Sequence, residues 1–256
     1  MQVDMQVDML SGENAIHLHR PPHSNQVIAC KHLRRVYVPR ANSFQVVSSW
    51  ETGPVTDLNL PGLPFPLESS GTPACAAVVA GGMLTLTSGP KSDLFIDPAG
   101  NEATRPDAGR LTGLPGDQDF TLAARVTVKF TEAFDAGVLL LYLSERRWAK
   151  LCYELSPQRR PTAVTVVTHG TSDDSNSFTT DGGPLWLRIT RSGRVWAFHA
   201  SADGAYWDLL RYFSLGEGSG ARIGFMAQSP MGHGCTAVFD AISYKVGAPA
   251  NLRDGS

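Results

Sequence analysis

The chain has 256 residues and a formal charge of −2, with 42% hydrophobic and 18% charged residues. That balance excludes a nucleic-acid binder or a protein drawn mainly to anionic membranes, since no basic field or stripe dominates. The length suits one large β domain plus a tail, and 25 glycines with 17 prolines imply many turns and few helices.

The opening MQVDMQVDM repeats itself and carries no sustained apolar period, so residues 1–45 are read as an N-terminal extension expected to be poorly ordered. His17, His19, His23 and His32 fall in this stretch beside the basic run KHLRRVYVPR, but their spacing matches no metal motif. Residues 46–75 form a Pro/Gly-rich lead-in centred on LNLPGLPFPLESSG, where proline, lacking a ladder donor, rules out a central strand. The four cysteines, Cys30, Cys75, Cys152 and Cys235, are scattered without Cys-x-x-Cys or Cys/His spacing and are read as reduced thiols. No signal-peptide pattern opens the chain, and no apolar run approaches the roughly 20 residues needed to span a bilayer, so the expected compartment is the cytoplasm.

From residue 76 strand patterns follow one another. Ala76–Ala80 and Met83–Thr87 flank a Gly81-Gly82 turn, and Asp93–Asp97 (DLFID) reads as a further short strand closed by the turn at Pro98. Phe120–Phe130 alternates cleanly and opens the main antiparallel run. Val138–Leu143 is almost wholly apolar, as a strand buried on both sides must be, and Ser144–Arg147 supplies a turn into an alternating partner strand. Thr162–His169 is β-branched, and Gly170–Gly183 (GTSDDSNSFTTDGG) reads as a polar loop. Leu185–Arg191, Val195–Ser201 and Tyr206–Phe213 follow, the last pair joined at Asp203-Gly204; Ala221–Gln228 and Cys235–Val246 close the series, joined by SPMGHG. This pattern predicts an all-β, antiparallel two-sheet jelly-roll sandwich over residues 76–247, with residues 248–256 as a C-terminal tail.

Strand parity then sorts side chains by face. In the strand after the central turn, Ala149, Leu151, Tyr153 and Leu155 point one way; Trp148, Lys150, Cys152 and Glu154 point the other. Trp186 and Arg188 oppose Leu185, Leu187 and Ile189. His199 opposes Trp196 and Phe198, while Gln228, with Met226, opposes Ile223 and Phe225. An indole stacks on the C–H face of a pyranose, and Lys, Arg, Glu and Gln direct hydrogen bonds to hydroxyls, so Trp148, Lys150, Glu154, Trp186, Arg188, His199 and Gln228 are the candidate ligand-binding set. The opposing reading is a structural ion network of Lys150, Glu154 and Arg188 on a sandwich surface. For catalysis, Glu154 is the candidate acid or base, with Asp173 or Asp174 as a second carboxylate. No metal site and no cofactor site is expected: the Asp173-Asp174 pair lacks the acidic spacing of a calcium loop.

The segments FDAGVLLLYLSERRWAKLCYE, VTVVTHGTSDDSNSF, LWLRITRSGRVWAFHASADG and ARIGFMAQSPMGHGCTAVFDAISY together resemble a domain-of-unknown-function family that contains the fungal "regulation of enolase" proteins. The resemblance spans roughly residues 58–247. It implies a concanavalin A-like jelly roll with a concave face, in a superfamily of both lectins and glucanases, and it implies no single activity. The glucanases' pair of glutamates on one strand has no counterpart: positions 156, 158 and 159 after Glu154 are Ser, Gln and Arg. Three functions follow as expectations: a saccharide- or polar-small-molecule-binding, lectin-like domain; an enzyme using Glu154; or a protein-interaction scaffold. Neither nucleic acid nor membrane is expected as a partner. Since alternation begins only after residue 44, removal of the first 40 residues should leave the melting temperature nearly unchanged; a large drop would make that stretch part of the core.

Overall fold

Two sheets share one apolar interior. The structure, a computed structural model, describes residues 45–47, 58–72, 75–100, 108–216 and 220–256, all within one compact unit, Val38–Ser256. Histidines 17, 19, 23 and 32 and Cys30 lie outside the described residues.

The described residues form fifteen strands: β1 (Gln45–Val47), β2 (Glu68–Ser70), β3 (Ala76–Ala80), β4 (Met83–Thr87), β5 (Arg110–Gly113), β6 (Phe120–Lys129), β7 (Ala136–Ser144), β8 (Arg147–Leu155), β9 (Pro161–His169), β10 (Thr171–Thr179), β11 (Leu185–Ser192), β12 (Val195–Ser201), β13 (Asp208–Phe213), β14 (Arg222–Gln228) and β15 (Thr236–Val246). Eight make one sheet, in the order β1-β3-β4-β15-β6-β11-β12-β13. Seven make the other, in the order β10-β9-β8-β7-β14-β5-β2, and every pairing is antiparallel. This is an all-β jelly-roll sandwich. Both β1 and β2 lie upstream of the 76–247 span read from alternation.

Period-2 alternation decides what fills the interior. From the seven-stranded sheet come Leu139, Leu141, Ala149, Leu151, Tyr153, Ile223 and Phe225; from the eight-stranded sheet come Leu122, Val126, Leu187, Ile189, Phe198 and Phe239, all in one buried cluster. Residues of opposite parity therefore point away from the interior. On the seven-stranded sheet they form a second buried cluster, with Val138, Leu140, Trp148, Cys152, Val164, Val166 and Met226 packed beneath Leu94 and Ile96.

Two expectations are corrected here. Asp93–Asp97 is not a strand but a strap laid across the outer face of the seven-stranded sheet. At one end it is pinned where Ser229 N donates to Ser92 O, just past β14; at the other, Ile96 N donates to Ser172 Oγ and Ser172 N to Ile96 O on β10. Its alternation is that of a segment with one apolar side, buried at Leu94 (0% exposed) and Ile96 (4%). The polar stretch after Gly170 is not a loop: Thr171–Thr179 is β10, paired with β9 at the sheet edge. An edge strand with one free side tolerates Ser, Asp and Asn, and its bulge between Asn176 and Thr179 blunts the edge against pairing with another chain. Cys75, Cys152 and Cys235 are buried, and none of them is in a disulfide.

Strand β14 sits between β7 and β5 and crosses β5 closely at Gly224, where an added Cβ would run into the Leu111 carbonyl oxygen. Gly224→Ala should therefore lower stability by about 1–3 kcal/mol through overpacking, measured by chemical denaturation. An unchanged midpoint would mean that β5 can move aside freely.

Candidate functional site

The site is built on the outward parity of β8. Lys150 lies mid-strand and is 2% exposed. Its Nζ donates to Asp93 Oδ1 at 2.9 Å and to Gln228 Oε1 at 2.9 Å. Gln228 is rigidly used: its Nε2 donates to Phe134 O at 3.2 Å and to Glu154 Oε2 at 3.3 Å. Asp93, Lys150, Gln228 and Glu154 thus form one hydrogen-bonded chain on the sheet face. Trp148 lies at the apolar end of the same face, 0% exposed, with Lys150 Nζ 5.6 Å from its ring centroid and its indole Nε1 without a partner. Cys152 sits between Lys150 and Glu154 in parity; burial pushes its thiol well up, so it is not a nucleophile.

Lys150 and Glu154, both buried on β8, end in different charge states. For Lys150, desolvation alone would lower the pKa, yet the charge of Asp93 and its hydrogen bond hold the amine above its ordinary value. Glu154 is pushed up to about 8, chiefly by burial; Lys150 opposes the shift, while the charges of Asp93 and Asp174 add to it. At neutral pH the face therefore carries an ammonium paired with Asp93 and, beside it, a protonated carboxylic acid.

Asp173 and Asp174 separate by parity. Asp174 pairs with Val166 and so shares the outer face with Glu154; Asp173 pairs with Val167 and reaches Arg211 of the opposite sheet, Nη2 to Oδ2 at 2.9 Å. Asp173 is a rim link between the sheets, and Asp174 is the acidic neighbour of Glu154.

The sequence-derived set falls into two groups. Trp148, Lys150, Glu154 and Gln228 come together as parity implies. Trp186, Arg188 and His199 do not join them, and Arg188 shares no cavity with Glu154. Their strands β11 and β12 belong to the eight-stranded sheet, so pointing away from the common interior carries them to the opposite side of the sandwich. There Trp186 meets Trp207 edge-on at 6.5 Å, Arg188 lies 4.3 Å over the Trp207 ring, and His199 Nε2 bonds Leu252 O at 2.8 Å. Parity names a face but not which sheet owns the strand.

Two contributors were missed. Asp93, the partner of Lys150, was read as a strand end; the only signal for it is that a buried lysine demands a carboxylate. A cleft of about 500 Å³ opens where the β8–β9 turn meets the bulged end of β10. Ser156, Gln158, Arg160, Thr162, Asn176 and Phe178 are among its lining residues, and Thr162 is the cross-strand partner of Glu154. It joins residues far apart in a sequence that alternation alone does not bring together. Among the described residues no group of three or more His, Cys, Asp or Glu is placed to hold a metal ion, and no helix is long and apolar enough to cross a membrane.

Sandwich and site together define a β-sandwich of the jelly-roll class with a polar chain on one outer face. The chain belongs to a family described as protein of unknown function (DUF1349), which matches residues 71–246. No curated protein matches the sequence. Among solved structures, a functionally unknown protein from Saccharomyces cerevisiae is similar at 24% identity and a TM-score of 0.62, over 68% of this chain and 92% of that one. The GH43 protein BlXynB from Bacillus licheniformis is similar at 16% identity and a TM-score of 0.56, over 74% of this chain and 38% of that one. A xylan beta-1,4-xylosidase from Bacillus halodurans C-125 gives 15% identity and a TM-score of 0.53, over 67% and 34%. The likeness is one of fold, and this chain matches little more than a third of either bacterial protein.

The folded-state pKa of Glu154 lies above the ordinary 4.5, so the folded protein holds a proton that the unfolded chain has released. Stability from this group is complete below the ordinary value and is lost as pH rises toward about 8. Glu154→Gln is neutral throughout, so its melting temperature relative to wild type should climb between about pH 5 and pH 8. A difference that stays flat across thermal melts in this range would mean that Glu154 is ionised when folded.

Proposed function

We propose that this protein is a saccharide-binding, lectin-like β-sandwich, whose ligand enters the cleft between the β8–β9 turn and β10. The observation that carries this reading is the cleft's chemistry. Its walls offer the hydroxyls of Ser156, Thr162, Ser177 and Thr179, the amides of Gln158 and Asn176, the guanidinium of Arg160 and one aromatic ring, Phe178. One guanidinium among neutral hydroxyls and amides around one ring suits a polyhydroxylated ligand better than an apolar or strongly charged one. Thr162 links this cleft to protonated Glu154, which can donate a hydrogen bond where a carboxylate could only accept. Trp148 takes no part, because a fully buried indole offers a sugar no face.

A second reading, hydrolysis, is favoured by one observation: Glu154 is held as an acid on the same face as Asp174, giving a proton donor and a second carboxylate. A GH43 protein and a xylan beta-1,4-xylosidase among the similar structures make xylo-oligosaccharides and aryl xylosides natural first probes. The burial of Glu154, 8% exposed, weighs toward binding. The resemblance to regulation-of-enolase proteins supports a third role, in protein interaction, with no residue of this surface assigned to it.

The test is an oligosaccharide array and calorimetric titration with the full chain. Arg160→Ala and Asn176→Ala should each weaken binding by about 1–2 kcal/mol while leaving the melting temperature unchanged. Failure of every neutral oligosaccharide to bind would overturn the lectin-like reading. Turnover of chromogenic xylosides that vanishes in both Glu154→Gln and Asp174→Asn would replace it with the hydrolytic one.

A further inference from the structure

The outer face of the eight-stranded sheet carries a cation without an anion. Arg188, on β11, is 7% exposed. Its Nη2 donates to Gly255 O at 2.9 Å, its guanidinium lies 4.3 Å over the Trp207 ring, and its Nε has no partner. Among the described residues no carboxylate pairs with it, and burial lowers its pKa to about 10, which leaves it cationic at neutral pH. Directly across the ladder stands His199, 0% exposed. Its Nε2 lies 2.8 Å from Leu252 O; since a carbonyl only accepts, Nε2 carries the hydrogen, and Nδ1 is left as an acceptor with no donor. Burial, outweighing the hydrogen bond to Leu252, lowers this imidazole to about 4, so it is neutral.

What covers both side chains is residues 249–256, and the cover is neutral where it touches them. Two backbone carbonyls, Leu252 O and Gly255 O, meet the imidazole and the guanidinium. The segment's own carboxylate, Asp254, is turned inward: it accepts from Asn251 Nδ2 at 2.6 Å, Ser256 N at 3.0 Å and Ser256 Oγ at 2.7 Å. Further bonds close the turn on itself, Gly255 N to Asn251 O and Asn251 N to Ser256 O. Besides the two carbonyl contacts, Arg253 stacks 4.6 Å from the Tyr212 ring. The turn's internal bonds involve neither Arg188 nor His199, and among the described residues the two carbonyl bonds, the Arg253 ring contact and the packing of Gly255 on Trp207 join it to the sheet. A buried guanidinium and an orphaned imidazole nitrogen under a neutral, self-contained cover describe a recess whose best occupant is not the cover.

We propose that Arg188, His199, Trp186 and Trp207 form a second binding site, for a small hydroxy-carboxylate of the sugar-acid class, which residues 249–256 fill in its absence. A carboxylate takes the Nε and Nη2 donors of Arg188 as a planar pair. A hydroxyl of the same molecule donates to His199 Nδ1, and the indoles supply apolar faces for its C–H groups. One cation beside a neutral imidazole matches a monoanion; a phosphate dianion would want a second cation. The site is distinct from the cleft on the other sheet.

The test titrates the full chain with glucuronate, glucose, acetate and inorganic phosphate by calorimetry. Gly255 has φ +78°, and a side chain there would meet Trp207 Cβ at 2.8 Å and Arg188 Nη2 at 2.9 Å, so Gly255→Val dislodges the cover. Removing that competitor should tighten glucuronate binding by about tenfold relative to wild type. Arg188→Gln should abolish it, and glucose, acetate and phosphate should bind none of the variants. Should Gly255→Val fail to fold, Asp254→Ala, at an exposed position, loosens the same turn and should tighten binding in the same direction. The proposal is overturned if glucuronate fails to bind the loosened variants at about 10 mM, if phosphate binds as well as glucuronate, or if Arg188→Gln still binds. Loss of binding in Arg160→Ala but not in Arg188→Gln would assign glucuronate to the cleft and overturn it too.

Discussion

Lys150 carries a positive charge into the middle of a sheet face that water does not reach, and its surroundings are arranged to answer that charge. Removing an ammonium from water is unfavourable by several kcal/mol unless an anion and further acceptors replace the lost hydration. Asp93 supplies the anion and Gln228 the second acceptor. Asp93 can do so only because residues 92–96 are drawn across the sheet, which in turn buries Leu94 and Ile96 over Trp148, Val164 and Val166. The polar contact and the apolar cover are therefore one arrangement: each holds the other in place. Glu154 is kept neutral chiefly by its burial, which the ammonium bonded to Asp93 does not offset.

The two outer faces of the sandwich answer buried charge differently. On the seven-stranded sheet Lys150 has a carboxylate, a carbonyl oxygen from an amide and an apolar lid. On the eight-stranded sheet Arg188 has a backbone carbonyl and an indole ring. Lys150 is met by a matched anion and Arg188 by neutral groups, so the two differ in how completely each is satisfied. Each face keeps open polar atoms, Trp148 Nε1 on the first and Arg188 Nε with His199 Nδ1 on the second.

Much of the fold was legible in the residues because alternation is a local property. Val138–Leu143, Thr162–His169 and Leu185–Arg191 announce themselves as strands, and the joint positions of Trp148, Lys150 and Glu154 follow from parity alone. Three things were not legible, each for a physical reason. The polarity of Thr171–Thr179 belongs to an edge strand with one solvated side, which sequence does not distinguish from a loop. Asp93–Asp97 alternates because one side of it is buried, yet beyond an isolated bridge at Phe95 it joins no sheet among the described residues. Parity set Arg188 apart from Leu187 but could not say that β11 and β8 lie in different sheets; sheet membership comes from long-range pairing, which no local pattern records.

Strand β15 runs between β4 and β6 in the eight-stranded sheet, although more than a hundred residues separate β6 from it in sequence. It is thus the only described link through which β1, β3 and β4 are hydrogen-bonded to the rest of their sheet. During synthesis these early strands leave the ribosome long before their neighbour exists, with the edge of β4 unpaired. Closing the sheet must wait for the last strand, so a non-local step governs assembly, and folding of this chain is slow by topology rather than by any weakness of its core.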